Sequence, residues 1–279
     1  MKQEWIEAVL MLARQAGEAT LPYHSGFQLG SGSRVALPMQ VTNKADNSPV
    51  TLADLAANQV IVQGLAMITP EVPVVSEELP QSLMHLQPQG RYWLIDPLDG
   101  TREFVAGGDD FTVNIALIEN GRTVWGVVYA PVPGLTYWGG QASGSFRSQD
   151  GITVALRVSA MPDGLGVFRV VASKSHLNTG TRSFIDHLGR VELVQAGSSL
   201  KFCLVAQGDA DVYPRMGDTS QWDTAAAQAV LEGAGGVVCD LEGNTLSYGR
   251  PDVLNPYFIA ASSHPQHWLR EWRHGQSGK

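Results

Sequence analysis

The sequence predicts a mixed α/β (α+β) fold, and three observations carry that prediction. The opening residues repeat apolar side chains at helical spacing. Residues 111–130 read as two strands joined by a tight turn, and beyond residue 166 short apolar runs alternate with helical segments in the α/β manner. With 279 residues, 44% of them apolar, the chain can bury a sizeable core in one large domain or two sub-domains.

Trp5, Ile6, Val9, Leu10, Leu12, Ala13, Ala16 and Ala19 put one apolar face on a first helix that ends before Pro22, and core packing is what such a face does. Residues 26–38 turn rich in glycine and serine and read as a flexible loop. Gly30-Ser31-Gly32 there lacks the third glycine and following helix of a dinucleotide-binding loop. Helical periodicity resumes over 53–68, placing Asp54 near a helix start. Val72-Pro73-Val74-Val75 is a short apolar run, so Glu77 and Glu78 fall at a strand end. Trp93-Leu94-Ile95 reads as a buried strand that ends abruptly in Asp96-Pro97-Leu98-Asp99-Gly100-Thr101, turn chemistry followed by a helix start. Strands at 111–118 and 123–130 flank Glu119-Asn120-Gly121, a hairpin turn, and 139–151 is loop-rich. A boundary near 157–166 divides an N-terminal sub-domain, 1–158, from a C-terminal one, 159–279. The latter runs strand 167–172, helix 179–188, strand 191–195, helix 200–206, strand 210–214 and helix 224–233.

Three acidic clusters look like one metal site divided along the chain: Ser76-Glu77-Glu78, the pair Asp96 and Asp99, and Asp223 after Trp222. Singly, each has an ordinary use. Adjacent glutamates make a solvated face, Asp-x-x-Asp occurs in turns, and Asp223 suits an N-cap or first-turn acid ahead of the alanine-rich 224–231. Together they suit a hard cation such as Mg²⁺, which takes oxygen ligands, retains waters and uses a few carboxylates plus substrate phosphate. Pro97 fixes φ and removes one amide donor, while Gly100 lets the backbone approach a ligand. No His-x-x-x-His helix or Cys/His cluster accompanies His176, and there is no Gly-x-Ser-x-Gly elbow or Walker loop.

The segments KADNSPVTLAD ending at Asp54, VSEE from Val75, DPLDGTREF from Asp96 and WDTAA from Trp222 resemble the inositol monophosphatase superfamily. Within it, GSSLKFCLVAQGDADVYPR from Gly197 to Arg215 is similar to bacterial 3′(2′),5′-bisphosphate nucleotidases, which remove the 3′-phosphate of 3′-phosphoadenosine 5′-phosphate. The resemblance runs from the first helix to about Ser263. It implies a layered αβαβα sandwich of the inositol monophosphatase/fructose-1,6-bisphosphatase type, with the active site between the halves. It also implies two or three Mg²⁺ ions held by Glu77, Asp96, Asp99 and Asp223 and by the carbonyl of Leu98, with Asp96 bridging two metals. Asp54 and Thr101 match the pair that activates the attacking water. Gly100 and Thr101 match amides that hold the scissile phosphate, a role for which helix starts are suited by their free N–H groups. Ser173, Lys174, Ser175 and His176, following a strand, and Gly197, Ser198, Ser199 and Lys201 are candidates for holding phosphate or sugar hydroxyls. Arg215 is a candidate partner of a 5′-phosphate, which its planar fork can pair bidentately. Lithium sensitivity and a cytoplasmic location, with the peripheral attachment to the inner membrane's cytoplasmic face known among such nucleotidases, are implied too. The chain departs from the pattern at Asp109-Asp110, where a glutamate more often precedes the phenylalanine, in a longer 26–38 loop, and in an extension from 264 to 279.

Composition agrees. A net charge of −8 disfavours nucleic-acid polymers as partners, since they are bound by basic surfaces; the small bisphosphate nucleotide partner is what the resemblance implies. Cys203 and Cys239 lie in apolar surroundings and read as buried, reduced thiols in a reducing compartment. The first residues lack a signal-peptide core, and no run reaches transmembrane length. His264 and His267 fall in a polar tail and read as solvated. Beside the nucleotidase stand two further readings. One is an inositol or sugar monophosphate phosphatase; the other is a non-catalytic nucleotide- or metal-binding module, which has no need of the pair Asp54 and Thr101.

Overall fold

The computed structural model describes residues 2–25, 37, 41–43, 49–160, 166–173, 178–263 and 266–270. Lys174, Ser175, His176 and, apart from Leu37, the 26–38 loop lie outside these. The first apolar stripe forms helix α1, Gln3–Thr20, with Val9, Leu12, Ala13 and Ala16 buried. A short antiparallel pair, β1 (Val41–Asn43) and β2 (Pro49–Thr51), leads into α2, Leu52–Ile68.

A seven-stranded sheet follows. It contains β3 (Val74–Ser76), β4 (Arg91–Asp99), β5 (Thr112–Glu119), β6 (Arg122–Ala130), β7 (Leu135–Gly140), β8 (Gly144–Gln149) and β9 (Ile152–Ala155), paired in that order. Strand β3 runs parallel to β4 and every other pair is antiparallel. The short helix α3, Thr101–Val105, leaves the end of β4. The second sheet, ordered β11-β10-β12-β14-β13, comprises β10 (Phe168–Ser173), β11 (Val191–Ala196), β12 (Val212–Arg215), β13 (Val237–Asp240) and β14 (Phe258–Ala261). Helices α4 (Thr179–His187), α5 (Leu200–Ala206) and α6 (Gln221–Gly233) complete the set.

Side-chain alternation along the strands sorts the layers. Trp93 and Ile95 of β4, and Val113, Ile115 and Leu117 of β5, join the cluster formed with α1 and α2. Tyr92, Leu94, Ala116 and Ile118, on the opposite face, join Ala225, Ala226 and Val230 of α6, Phe202 and Val205 of α5, and Val171, Tyr213 and Phe258 of the second sheet. The far face of that sheet carries Val170, Val212 and Ile259 against Phe184 and Ile185 of α4. The result is the five-layer αβαβα sandwich the resemblance implies, with the α5/α6 layer between the sheets and a core that joins residues from both sides of position 158.

Four local expectations are corrected. Strand β4 does not stop at Ile95 but runs through Asp99, bent by a register shift between Asp96 and Asp99. The 139–151 segment is a hairpin of β7 and β8 leading to β9; its glycines and serines carry too little hydropathy to mark strand alternation. The second half is not purely alternating, since β13 and β14 are consecutive strands that pair antiparallel. The tail is not wholly solvated, because Trp268 and Leu269 are fully buried against Phe168 and its neighbours. Cys203 and Cys239 are both free and buried, as expected. Among the described residues no helix is long and apolar enough to cross a membrane.

Candidate active site

The bend in β4 builds the acidic centre. Asp96 pairs with Asn114 and Asp99 with Thr112, so β4 carries one extra residue at that point. Such bulges re-aim side chains, and they are among the few places in a sheet that tolerate proline, here Pro97. Asp96 follows Leu94 on the face turned toward α6, and its Oδ1 accepts the amide of Leu98 at 3.0 Å. Glu77 sits one residue beyond β3, its amide donating to Ile95 O at 3.3 Å. Asp223 arrives from the second half as the third residue of α6, in a capping box with Ser220 whose amide donates to Asp223 Oδ2 at 2.8 Å. Its ordinary use as a first-turn acid and its use in the centre therefore coexist.

Carboxylate oxygens of Glu77, Asp96 and Asp223 come within 4.8 Å of one another. Asp99 stands beside this group, with its Oδ2 held by Ser199 Oγ at 2.9 Å. Burial first, then the charges of Glu77, Asp99 and Asp223, pushes Asp96 well above the ordinary carboxylate range. Asp223 is raised likewise, by burial and then by Asp99 and Glu77. Three acids that oppose one another's ionisation fit a divalent cation, whose charge reverses that opposition, and an all-oxygen donor set selects a hard one.

The pair Asp54 and Thr101 is assembled by two helix starts. Asp54 is the third residue of α2, and its Oδ2 accepts the amide of Thr51 at 2.8 Å and the hydroxyl of Thr51 at 2.6 Å. That leaves Oδ1 to accept Thr101 Oγ1 at 3.0 Å. Gly100, at φ 96°, turns the chain from β4 into α3 in the left-handed region where a Cβ is disfavoured. Thr101 Oγ1 also lies 3.2 Å from Leu98 O. With its one proton given to Asp54, the Thr101 oxygen keeps lone pairs able to accept from a water. Burial raises the Asp54 pKa, while the bonds from Thr51 and Thr101 oppose the rise.

A cavity of about 570 Å³ opens over this centre, and Glu77, Asp96, Leu98, Asp99, Gly100, Thr101 and Asp223 line it. Ser173, Ser198, Lys201 and Arg215 line it too, so four of the expected recognition residues face the same space as the acids. Lys201 is 7% exposed, its ammonium 5.5 Å from the Tyr213 ring centroid, and burial brings its pKa down to about 8. Arg215 donates through Nη2 to Asp218 O at 2.8 Å, and its buried Nε has no hydrogen-bond partner among the described residues. Ser198 has its hydroxyl turned to Asp99 O at 2.5 Å. Gly197 stands behind the wall, where its amide donates to Asp110 Oδ2 at 2.9 Å. The aspartate that departs from the family pattern is thus a tie between the halves.

Sequence reasoning passed over Thr51, Asn114 and Ser220, which orient the acids, and it read Ser199 as a partner of phosphate or sugar hydroxyls, whereas its hydroxyl lies on Asp99 Oδ2 and Asp223 O. The S/T-x-x-D spacing of Thr51–Asp54 and Ser220–Asp223 is a capping-box signal that was there to be read. Nothing local in the sequence joins Asn114 to Ser199, 85 residues apart.

Residues 1–275 match the model of the inositol monophosphatase family. The 3′(2′),5′-bisphosphate nucleotidase CysQ of Escherichia coli (strain K12) is 44% identical over 254 residues, covering 91% of this chain and 98% of that protein. The crystal structure of CysQ from Bacteroides thetaiotaomicron superposes with a TM-score of 0.73 at 36% identity, over 92% of this chain and 97% of that one. An inositol monophosphatase from Thermotoga maritima superposes at 0.72 with 23% identity, over 99% of each chain, a likeness of fold.

Proposed function

The chain belongs to the inositol monophosphatase family of metal-dependent phosphatases, and from that premise we propose that it is a Mg²⁺-dependent 3′(2′),5′-bisphosphate nucleotidase that converts 3′-phosphoadenosine 5′-phosphate to AMP and phosphate. One observation carries the substrate class: a single cavity is lined by the acidic centre and also by Lys201 and Arg215. A substrate with two phosphates can set one over the acidic centre and the other against Lys201 and Arg215, whereas an inositol monophosphate has only one phosphate to place.

Hydrolysis of phosphate monoesters is slow enough that enzymic accelerations reach ~10²¹, of which one positioned acid or base supplies only ~10²–10⁴. Two or three Mg²⁺ ions held by Glu77, Asp96, Asp99, Asp223 and the Leu98 carbonyl would supply the rest as Lewis acids, polarising phosphoryl oxygens and acidifying water. The chain's own residues do the positioning. Thr101 Oγ1 accepts a hydrogen bond from the attacking water and relays its proton to Asp54 Oδ1. The water oxygen bonds to phosphorus, the bond from phosphorus to O3′ breaks with its electron pair staying on oxygen, and O3′ takes up a proton from solvent. The amides of Gly100 and Thr101 hold the transferring phosphoryl group. Lys201 and Arg215 hold the 5′-phosphate as charge-assisted donors, and Ser173 lines the same cavity. The enzyme works in the cytoplasm, and Li⁺ inhibits it.

The test is phosphate release with Mg²⁺ from 3′-phosphoadenosine 5′-phosphate, inositol 1-phosphate, fructose 1,6-bisphosphate and AMP. Preference for the first, with AMP left intact as product, is expected. Preference for inositol 1-phosphate or fructose 1,6-bisphosphate would overturn the substrate, and no turnover of any would return the protein to the binding modules.

A further inference from the structure

The acidic centre takes ligands from both halves of the chain, so something must hold Asp99 of the first in register with Asp223 of the second. The Ser199 hydroxyl lies between them, 2.9 Å from Asp99 Oδ2 and 2.8 Å from Asp223 O. Its orientation is set from β5. Thr112 Oγ1 donates to Asn114 Oδ1 at 3.1 Å, which turns the amide so that Asn114 Nδ2 donates to Ser199 Oγ at 2.9 Å. With that lone pair occupied, the Ser199 proton is directed to the carboxylate and to the Asp223 carbonyl. All three supporting side chains are shut off from solvent, with Thr112 at 0%, Asn114 at 1% and Ser199 at 1% exposure, so no water substitutes for a missing bond. Ser198 Oγ adds a bond to Asp99 O at 2.5 Å, so the residue is gripped at both its backbone and its carboxylate.

We infer that Ser199, oriented by Thr112 and Asn114, is a positioning residue for the metal centre: it commits Asp99 Oδ2 to the protein, aims Oδ1 at the cation, and locks the ligands of the two halves together. The inference rests on the metal reading above and goes beyond it in assigning a function to a chain of three neutral side chains. Ligating carboxylates are themselves held by hydrogen bonds, and loss of such a partner weakens metal binding ~10–100-fold.

The test reads metal affinity directly, by electron paramagnetic resonance titration of the purified protein with Mn²⁺, and needs no substrate. A failed substrate assignment would therefore leave it standing. Ser199→Ala is expected to weaken Mn²⁺ binding about tenfold or more, with a melting temperature in EDTA close to that of the unaltered protein. Thr112→Val, which keeps shape and removes only the orienting hydroxyl, is expected to weaken it by a smaller factor. Asn114 Nδ2 also lies 3.4 Å from Asp99 Oδ2 and Thr112 Oγ1 3.4 Å from Ser198 Oγ, so the double variant should be weaker than Ser199→Ala alone, but by less than the product of the two single effects. Mn²⁺ affinity within twofold of the unaltered protein in either folded variant would overturn the inference. So would a lowered melting temperature with unchanged affinity, the mark of a merely structural role. Should Ser199→Ala fail to fold, Thr112→Val decides alone.

Discussion

Asp54 uses its two carboxylate oxygens for different ends. Oδ2 closes the capping box of α2 through Thr51, and Oδ1 receives Thr101. The same division recurs at Asp223, whose Oδ2 caps α6 while the residue faces the acidic centre. Fixing a catalytic acid by the helix it starts removes rotamer freedom that a loop aspartate would have to lose on binding. It also gives a pH prediction. Burial raises the Asp54 pKa and Thr51 is foremost among the groups that oppose the rise. Activity that needs ionised Asp54 should fall as pH drops through that value, and Thr51→Val should move the acid limb of the kcat profile to higher pH. An unmoved acid limb in a folded variant would count against Asp54 as the proton acceptor. The resemblance of DPLDGT and WDTAA made the acids legible in the sequence. The Thr112–Asn114–Ser199 chain was not legible, because its members share a hydrogen-bond path and no local pattern.

Among the elements, α6 bears most directly on the site, since it delivers Asp223 to a sheet built by the first half. It lies close because its inner face is alanine and the strand beneath it offers Gly126: a Cβ at 126 would stand 2.5 Å from Ala226 O and 2.7 Å from Ala226 Cα. Thr123 Oγ1 donates to Ala225 O at 3.0 Å and fixes the helix along the strand. Gly126→Ala should therefore lift α6, cost about 1–3 kcal/mol by overpacking and weaken Mg²⁺ activation by moving Asp223. Denaturant melts and a Mg²⁺ titration check it, and unchanged values in both would refute the close docking. The alanine run 224–231 announced this helix, and periodicity announced α1, α2, β5 and β6. The bulge in β4 and the β7–β8 hairpin were hidden for physical reasons. A bulge is defined by the partner strand's register, and a strand of glycine and serine shows no alternation in hydropathy. Strands β13 and β14 were missed although β12, also of four residues, was anticipated.

At the scale of the whole molecule, the fold concentrates carboxylates where its two halves meet and so links stability to pH and to metal. Asp96 and Asp223 are raised above the ordinary carboxylate value of ~3.9. Folding thus favours their protonated forms. Their contribution is full below that ordinary value and is lost as pH rises through the raised ones. The metal-free protein should lose melting temperature between acid and neutral pH. Mg²⁺ at 100 times its dissociation constant should return about 2.7 kcal/mol near neutrality, a shift on the order of 5–10 °C, and much less at pH 5. Asp96→Asn should melt higher than the unaltered protein in EDTA at pH 8, should gain little from Mg²⁺, and should nearly abolish turnover. Equal Mg²⁺ shifts at pH 5 and pH 8 would contradict the linkage.

The most direct measurement of the central claim, that one cavity hydrolyses one phosphate while reading another, is kcat/KM for 3′-phosphoadenosine 5′-phosphate against adenosine 3′-monophosphate, in the unaltered protein and in Lys201→Met. Bonds to charged groups are worth about 1.5–3 kcal/mol each, so the bisphosphate should be favoured by roughly one to two orders of magnitude or more. Most of that preference should vanish in Lys201→Met, with hydrolysis of the monophosphate kept. Equal kcat/KM for the two substrates in the unaltered protein would contradict the account.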